Sequence, residues 1–219
     1  YSDVIENNLD KRYKEINESI DGLLNNIDKH IETENLNKKS KQPDEKVVKA
    51  MSEAKCVMLM VGAESGDDFI RNTIMKRNME IPYMLEKLKM LKKYGIKVLT
   101  ENIIGSPGET FEMALKTLEL NKTINPAFGN CSIFTPYPKL GLTNYAIKHG
   151  YFDGDFDKIK ENYFDTSILK FKNPGDKNRI INLRFFFSTI IAFPILEKPF
   201  IFLPRFTVNP FFSFYGQLA

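Results

Sequence analysis

The sequence predicts an α/β protein built from parallel βαβ units, and three observations carry that expectation. Apolar runs stop in turns of small or polar residues three times, in MLMVGAESG over 58–66, NIIGSPGET over 102–110 and FTPYP over 134–138. Helix-like sequence follows the first two runs directly. Strand and helix alternate about every 30 to 40 residues, which suits parallel βαβ units. Strands whose polar turns share one end build a rim, and in parallel α/β folds ligands sit at that rim.

From the N-terminus, Ile5, Leu9, Tyr13, Ile16, Ile20, Leu23, Ile27 and Ile31 fall at steps of three and four, one stripe on a helix over residues 3–31. Two readings stay open: a solvated helix laid on the body of the protein, or a partner helix, since the stripe is close to a coiled-coil seam. A polar linker, Asn35 to Lys41, follows. A helix is expected from about Asp44 to Ala54, then a strand from Cys56 to Val61. Asp67 and Asp68 complement a helix dipole and predict a helix to about Met75. Pro82 opens the next helix and Gly95 stops it. Ile96 to Ile104 reads as a second buried strand. The turn Pro107 to Thr110 leads into a helix bearing Met113, Leu115, Leu118 and Leu120, Asn125 and Pro126 end it, and Phe128 to Thr135 is the third strand.

Beyond Gly150 the rhythm stops. Asp153 to Tyr163 predicts an amphipathic helix and Asp176 to Phe193 a second, more apolar one. Ten of the 18 phenylalanines lie between Phe185 and Phe214, interrupted by Pro194, Pro199, Pro204 and Pro210, which forbid one long helix. The segment reads as a lid over the body or against another domain. Membrane-surface association, through Lys198 and Arg205 beside the apolar face, is the weaker alternative.

Composition narrows the function classes. A net charge of +3 over 219 residues gives no bulk electrostatic case for nucleic acid. Cys56 and Cys131 lie far apart and form no disulfide framework, which suits a reducing cytoplasm. The acidic and amide-rich start is unlike a cleavable signal, and no long uncharged apolar stretch predicts a membrane-spanning helix. There is no Gly-x-Ser-x-Gly elbow and no Walker lysine motif, and His30 and His149 complete no metal set.

In their order and spacing, and together with Lys46 to Cys56, Met75 to Arg77 and Ala146 to Tyr151, the three runs resemble the second half of a radical SAM domain of the cobalamin-linked (B12-binding) kind. The resemblance runs from about Asp44 to Tyr151. It implies a partial (β/α) TIM-like barrel of parallel strands over residues 43–152, between a polar amphipathic helix and linker at 1–42 and a helical aromatic segment at 153–219. In that family S-adenosylmethionine binds beside a reduced [4Fe-4S] cluster, which cleaves it to a 5′-deoxyadenosyl radical that abstracts hydrogen from a substrate. Carried onto this chain, Glu64 and Ser65 match the ribose-facing turn, where a carboxylate can accept from two neighbouring hydroxyls. Gly62 lets backbone approach the ligand. Arg77 matches the guanidinium that would take the methionine carboxylate, with a surface ion pair as its structural alternative. Asn102 and Gly105 match the segment near the adenine, and Phe134 the last strand near the base. Glu109 and Thr110 are expected to cap the helix they open. Two positions depart from the family pattern: Lys139 and Leu140 replace a usual Gly-Thr, and Lys55 replaces a usual Gly before Cys56.

The family holds its cluster with three closely spaced cysteines, CxxxCxxC, because thiolates suit iron in such clusters. Cys56 and Cys131 cannot stand in for them. No residue is therefore assigned a catalytic or metal-ligating role, and the chain alone is expected to be inactive. It reads as a truncated or divergent radical SAM protein, with cobalamin in a domain beyond it and a small-molecule substrate of unread identity. The alternative is a non-catalytic binding or partner-interaction module derived from the same scaffold.

Overall fold

The computed structural model of the 219-residue chain describes residues 45–159 and 166–202. The striped helix expected over residues 3–31 and the linker after it lie outside the described residues, as does the tail from residue 203 onward. The chain divides into two compact units, Tyr1–Val47 and Val48–Ala219. The break falls within the first described helix, α1 (Glu45–Glu53).

In the second unit β1 (Met58–Glu64), β2 (Lys97–Ile104) and β3 (Phe128–Ile133) form an open, all-parallel sheet in the order β1-β2-β3. Each crossover is helical, as parallel neighbours require. A short π-type turn, Phe69–Ile74, and α2 (Ile81–Lys93) join β1 to β2, and α3 (Phe111–Ile124) joins β2 to β3. Then come α4 (Gly141–Lys148), a 3-10 turn at Phe156–Lys158, α5 (Pro174–Ala192), a second 3-10 turn at Pro194–Leu196 and α6 (Glu197–Phe202).

Local chemistry accounts for most boundaries. Pro82 stands in the first turn of α2, where a missing N–H costs nothing, and Gly95 follows its end at φ +76. Thr110 caps α3 by accepting from the Met113 N–H, and Asn125 closes it in the left-handed conformation. Alternation along β2 buries Val98, Thr100, Asn102 and Ile104 on one face. That face meets two apolar clusters. One joins Ala63 and Val98 to Met84, Leu88 and Leu91 of α2, and the other joins Ile104, Cys131 and Ile133 to Leu118 of α3 and Ile180, Phe187 and Ile190 of α5. On the opposite face Met58, Met60 and Phe128 are 49%, 64% and 43% exposed, while Ile103 packs beside Phe134.

Three expectations need correction. β1 starts and ends later than predicted, because Lys55 turns the chain at φ +64 and the ladder continues past Gly62 through a bulge that pairs Glu64 with Asn102. Within residues 67–75, Phe69–Ile74 form a widened six-residue turn instead of a regular α-helix. There Asp67 Oδ1 accepts from the Phe69 and Ile70 N–H groups, and Met75 N–H reaches back five residues to the Ile70 carbonyl. The helix expected from Asp153 is a single 3-10 turn among the described residues. Asp153 and Asp155 each accept from the N–H two residues on, and those side-chain turns compete with helix.

Candidate functional site

Where the carboxyl ends of the strands meet, Glu64, Ile103 and Phe134 face one cavity of about 500 Å³. Residues 73–77, Leu140 to Leu142 and Tyr145 complete its lining. The end of β1, with the Glu64 carboxylate, makes one wall and residues 73–77, with the Arg77 guanidinium, make another, while apolar and aromatic side chains complete the lining. A pocket of that kind suits a ligand with a flat apolar part and a few polar groups of fixed orientation.

Glu64 reaches the cavity because the bulge places it at φ +62, a left-handed conformation that costs about 1–2 kcal/mol for a residue with a Cβ. Its Oε1 lies 3.6 Å from Arg77 Nη1, and Arg77 Nη2 donates to the Gly62 carbonyl at 3.3 Å. A Cβ at Gly62 would fall 2.5 Å from Glu64 Oε1 and 3.3 Å from Arg77 Nη2. The absent side chain thus leaves room for both groups to work side by side. Arg77 forms the ion pair anticipated as its structural alternative, but does so at the edge of the cavity.

The other candidates lie elsewhere. Ser65 is fully buried beneath the turn, where its Oγ accepts from the Asp67 N–H at 3.2 Å and lies 3.5 Å from Thr117 Oγ1. Asn102 projects to the helix-covered face of β2. It exchanges amide hydrogen bonds with Asn121 (2.7 and 3.3 Å) and donates to the Asn130 carbonyl (2.7 Å). Gly105 is buried at φ +76 under Ile133 and Ile180, and so shapes the turn that follows β2. Ile103, Leu142 and Tyr145 line the cavity without having been anticipated, because a lone apolar or aromatic residue in sequence signals core rather than ligand.

Glu109 accepts from the Ser106 N–H at 2.8 Å inside the same turn. Burial, partly opposed by hydrogen bonds from the Ser106 and Gly105 backbone, pushes its carboxyl up to about 8. Burial likewise raises the Cys131 thiol well above its usual range, so it stays protonated, whereas metal ligation needs the thiolate. Among the described residues no three His, Cys, Asp or Glu side chains stand together to hold a metal ion.

A model of the radical SAM superfamily matches residues 6–120, just over half of the chain. The chain belongs to the radical SAM superfamily. Members of that superfamily in general use S-adenosylmethionine and a [4Fe-4S] cluster. The match reaches back to residue 6, through the segment that periodicity alone separates as a striped helix and linker, and stops before β3. Over 104 residues this radical SAM chain is 36% identical to an uncharacterized methyltransferase, PH0819, of Pyrococcus horikoshii. The aligned stretch is 48% of this chain and 22% of that protein, so the chain spans about a fifth of its relative. Among solved structures, coproporphyrinogen III oxidase (HemN) of Escherichia coli, described as a radical SAM enzyme, superposes with a TM-score of 0.45 at 15% identity. The superposition covers 71% of this chain and 30% of that one.

Proposed function

We propose that the second unit supplies the S-adenosylmethionine-binding end of a cobalamin-linked radical SAM protein. The observation that carries this reading is the pairing of Glu64 with Arg77, 3.6 Å apart, in one cavity with Ile103 and Phe134. Glu64 would accept from the two ribose hydroxyls, Arg77 would hold the methionine carboxylate through its planar fork, and Phe134 with Ile103 would pack on the nucleoside. S-adenosylmethionine would bring the transferable methyl group or the radical precursor. This chain's residues bind and orient it.

The methyltransferase name of the Pyrococcus relative supports methyl transfer as the reaction of the whole protein and favours the cobalamin-linked subtype. Two cysteines, one of them buried and protonated, favour a division of labour in which this chain does not itself assemble the cluster. The same two cysteines support the second reading, a non-catalytic binding or partner-interaction module on the radical SAM scaffold. Free thiols also favour a reducing, cytoplasmic location. Among the described residues no helix is long and apolar enough to cross a membrane.

Isothermal calorimetry tests the binding proposal. S-adenosylmethionine should bind the wild type, and Glu64→Ala should weaken it about tenfold to a hundredfold, the loss expected for charge-assisted hydrogen bonds. Equal affinity in the two proteins would remove Glu64 from the site. Anaerobic reconstitution with iron and sulfide tests the division of labour: the absorption of a stable [4Fe-4S] cluster on this chain alone would refute it.

A further inference from the structure

We propose that Arg71 is the positioning residue of this site, a single buried guanidinium that holds Glu64 and Arg77 in register with each other. The inference rests on the S-adenosylmethionine reading and adds a residue that touches no ligand.

Arg71 is fully buried and is among the largest side chains of which that is true. A cation so placed is tolerated only when its donors are met, and here the acceptors come from the two segments that carry the walls of the cavity, around Glu64 and beyond Arg77. Nη1 donates to the carbonyls of Ala63 and of Ser65, the latter at 3.0 Å, and these two residues flank Glu64. Nε donates to the Met79 carbonyl at 2.9 Å, just beyond Arg77 in the second wall. The Arg71 carbonyl in turn accepts from the Arg77 N–H at 3.1 Å. Nη2 rests on Met84 Sδ at 3.4 Å, which fixes the plane of the fork against α2.

Both walls need holding. Glu64 stands at φ +62, and Lys76 and Asn78, on either side of Arg77, at +55 and +48. Residues with a Cβ persist in that region where surrounding bonds over-determine them. Arg71 provides such bonds to both segments through one rigid planar group. A lysine could not, because its ammonium is a single point and the acceptors lie on different sides of the fork. Burial, and after it the nearby Arg77, lower the Arg71 guanidinium from its usual range, and the carboxylates of Glu64 and Asp68 oppose that shift.

Two probes and one exchange measurement test this. S-adenosylmethionine presents both ribose and carboxylate, while 5′-methylthioadenosine keeps the nucleoside and lacks the carboxylate. Arg77→Ala should weaken the first probe and spare the second. Arg71→Lys should weaken both, by about tenfold to a hundredfold, the loss that follows when binding groups shift by about an ångström. In hydrogen–deuterium exchange, amides of 63–66 and 75–79 should lose protection together in Arg71→Lys, while those of β2 keep wild-type values. Arg71→Met, which keeps the volume and removes every donor, should give the same pattern more strongly. Unchanged binding of either probe, or loss of protection in only one segment, would overturn the proposal. Loss throughout the sheet would also overturn it, by making Arg71 an ordinary core residue. If the wild type binds neither probe, the S-adenosylmethionine reading fails by itself, and the exchange pattern still decides whether Arg71 ties the two walls.

Discussion

Glu109 concentrates the chemistry of single residues here. Its carboxyl is 3% exposed, and burial moves its titration to about 8, so the folded chain keeps a proton that the unfolded chain releases at about 4.3. Between those values the folded state binds more protons, so its contribution to stability is complete at low pH and is lost as pH rises through the folded value. Glu109→Gln cannot titrate. Thermal melts from about pH 5 to pH 9 should therefore show wild type losing stability relative to the variant as pH rises. Parallel curves would show that Glu109 does not titrate in that window. The cavity residues obey the same logic of placement. The family resemblance named Glu64, Arg77 and Phe134, and all three line one cavity. Ser65 and Asn102 fit that resemblance equally well in sequence. Their side chains instead meet Asp67, Thr117 and Asn121, partners contributed by the local turn and by a helix that no spacing rule pairs with them.

Helix limits were the most legible elements, because their signals are local. Pro82 and Gly95, Thr110 and Asn125 each act within a turn of the boundary they set. Strand limits were less so: Gly62 and Ala63 read as turn residues, yet pairing with β2 carries them into β1. The widened turn at Phe69–Ile74 was invisible, since only the folded chain brings Arg71 against the Ala63 and Ser65 carbonyls. One junction between elements carries a clear steric requirement. A Cβ on Gly66 would lie 2.1 Å from the Lys116 carbonyl oxygen of α3, and backbone cannot rotate away as a side chain can. Gly66→Ala should push the β1 turn off α3 and cost about 1–3 kcal/mol or more, read as a lowered denaturant midpoint with unchanged slope. A midpoint equal to wild type would mean that the turn and α3 separate freely.

At the scale of the molecule, parallel strands with helical crossovers were legible because the rhythm of apolar runs follows directly from that architecture. A sheet of three strands with Met58, Met60 and Phe128 exposed on one face is the consequence that sequence order alone does not convey. In the proposed reading the carboxyl ends of these strands converge on a nucleoside site between Glu64 and Phe134. Amide chemical shifts recorded during a titration with S-adenosylmethionine test it most directly. Saturable shifts should centre on residues 62–64, 73–77, 103, 134 and 140–145. Shifts centred instead on α5 and α6, or none at ligand concentrations that saturate related sites, would contradict it.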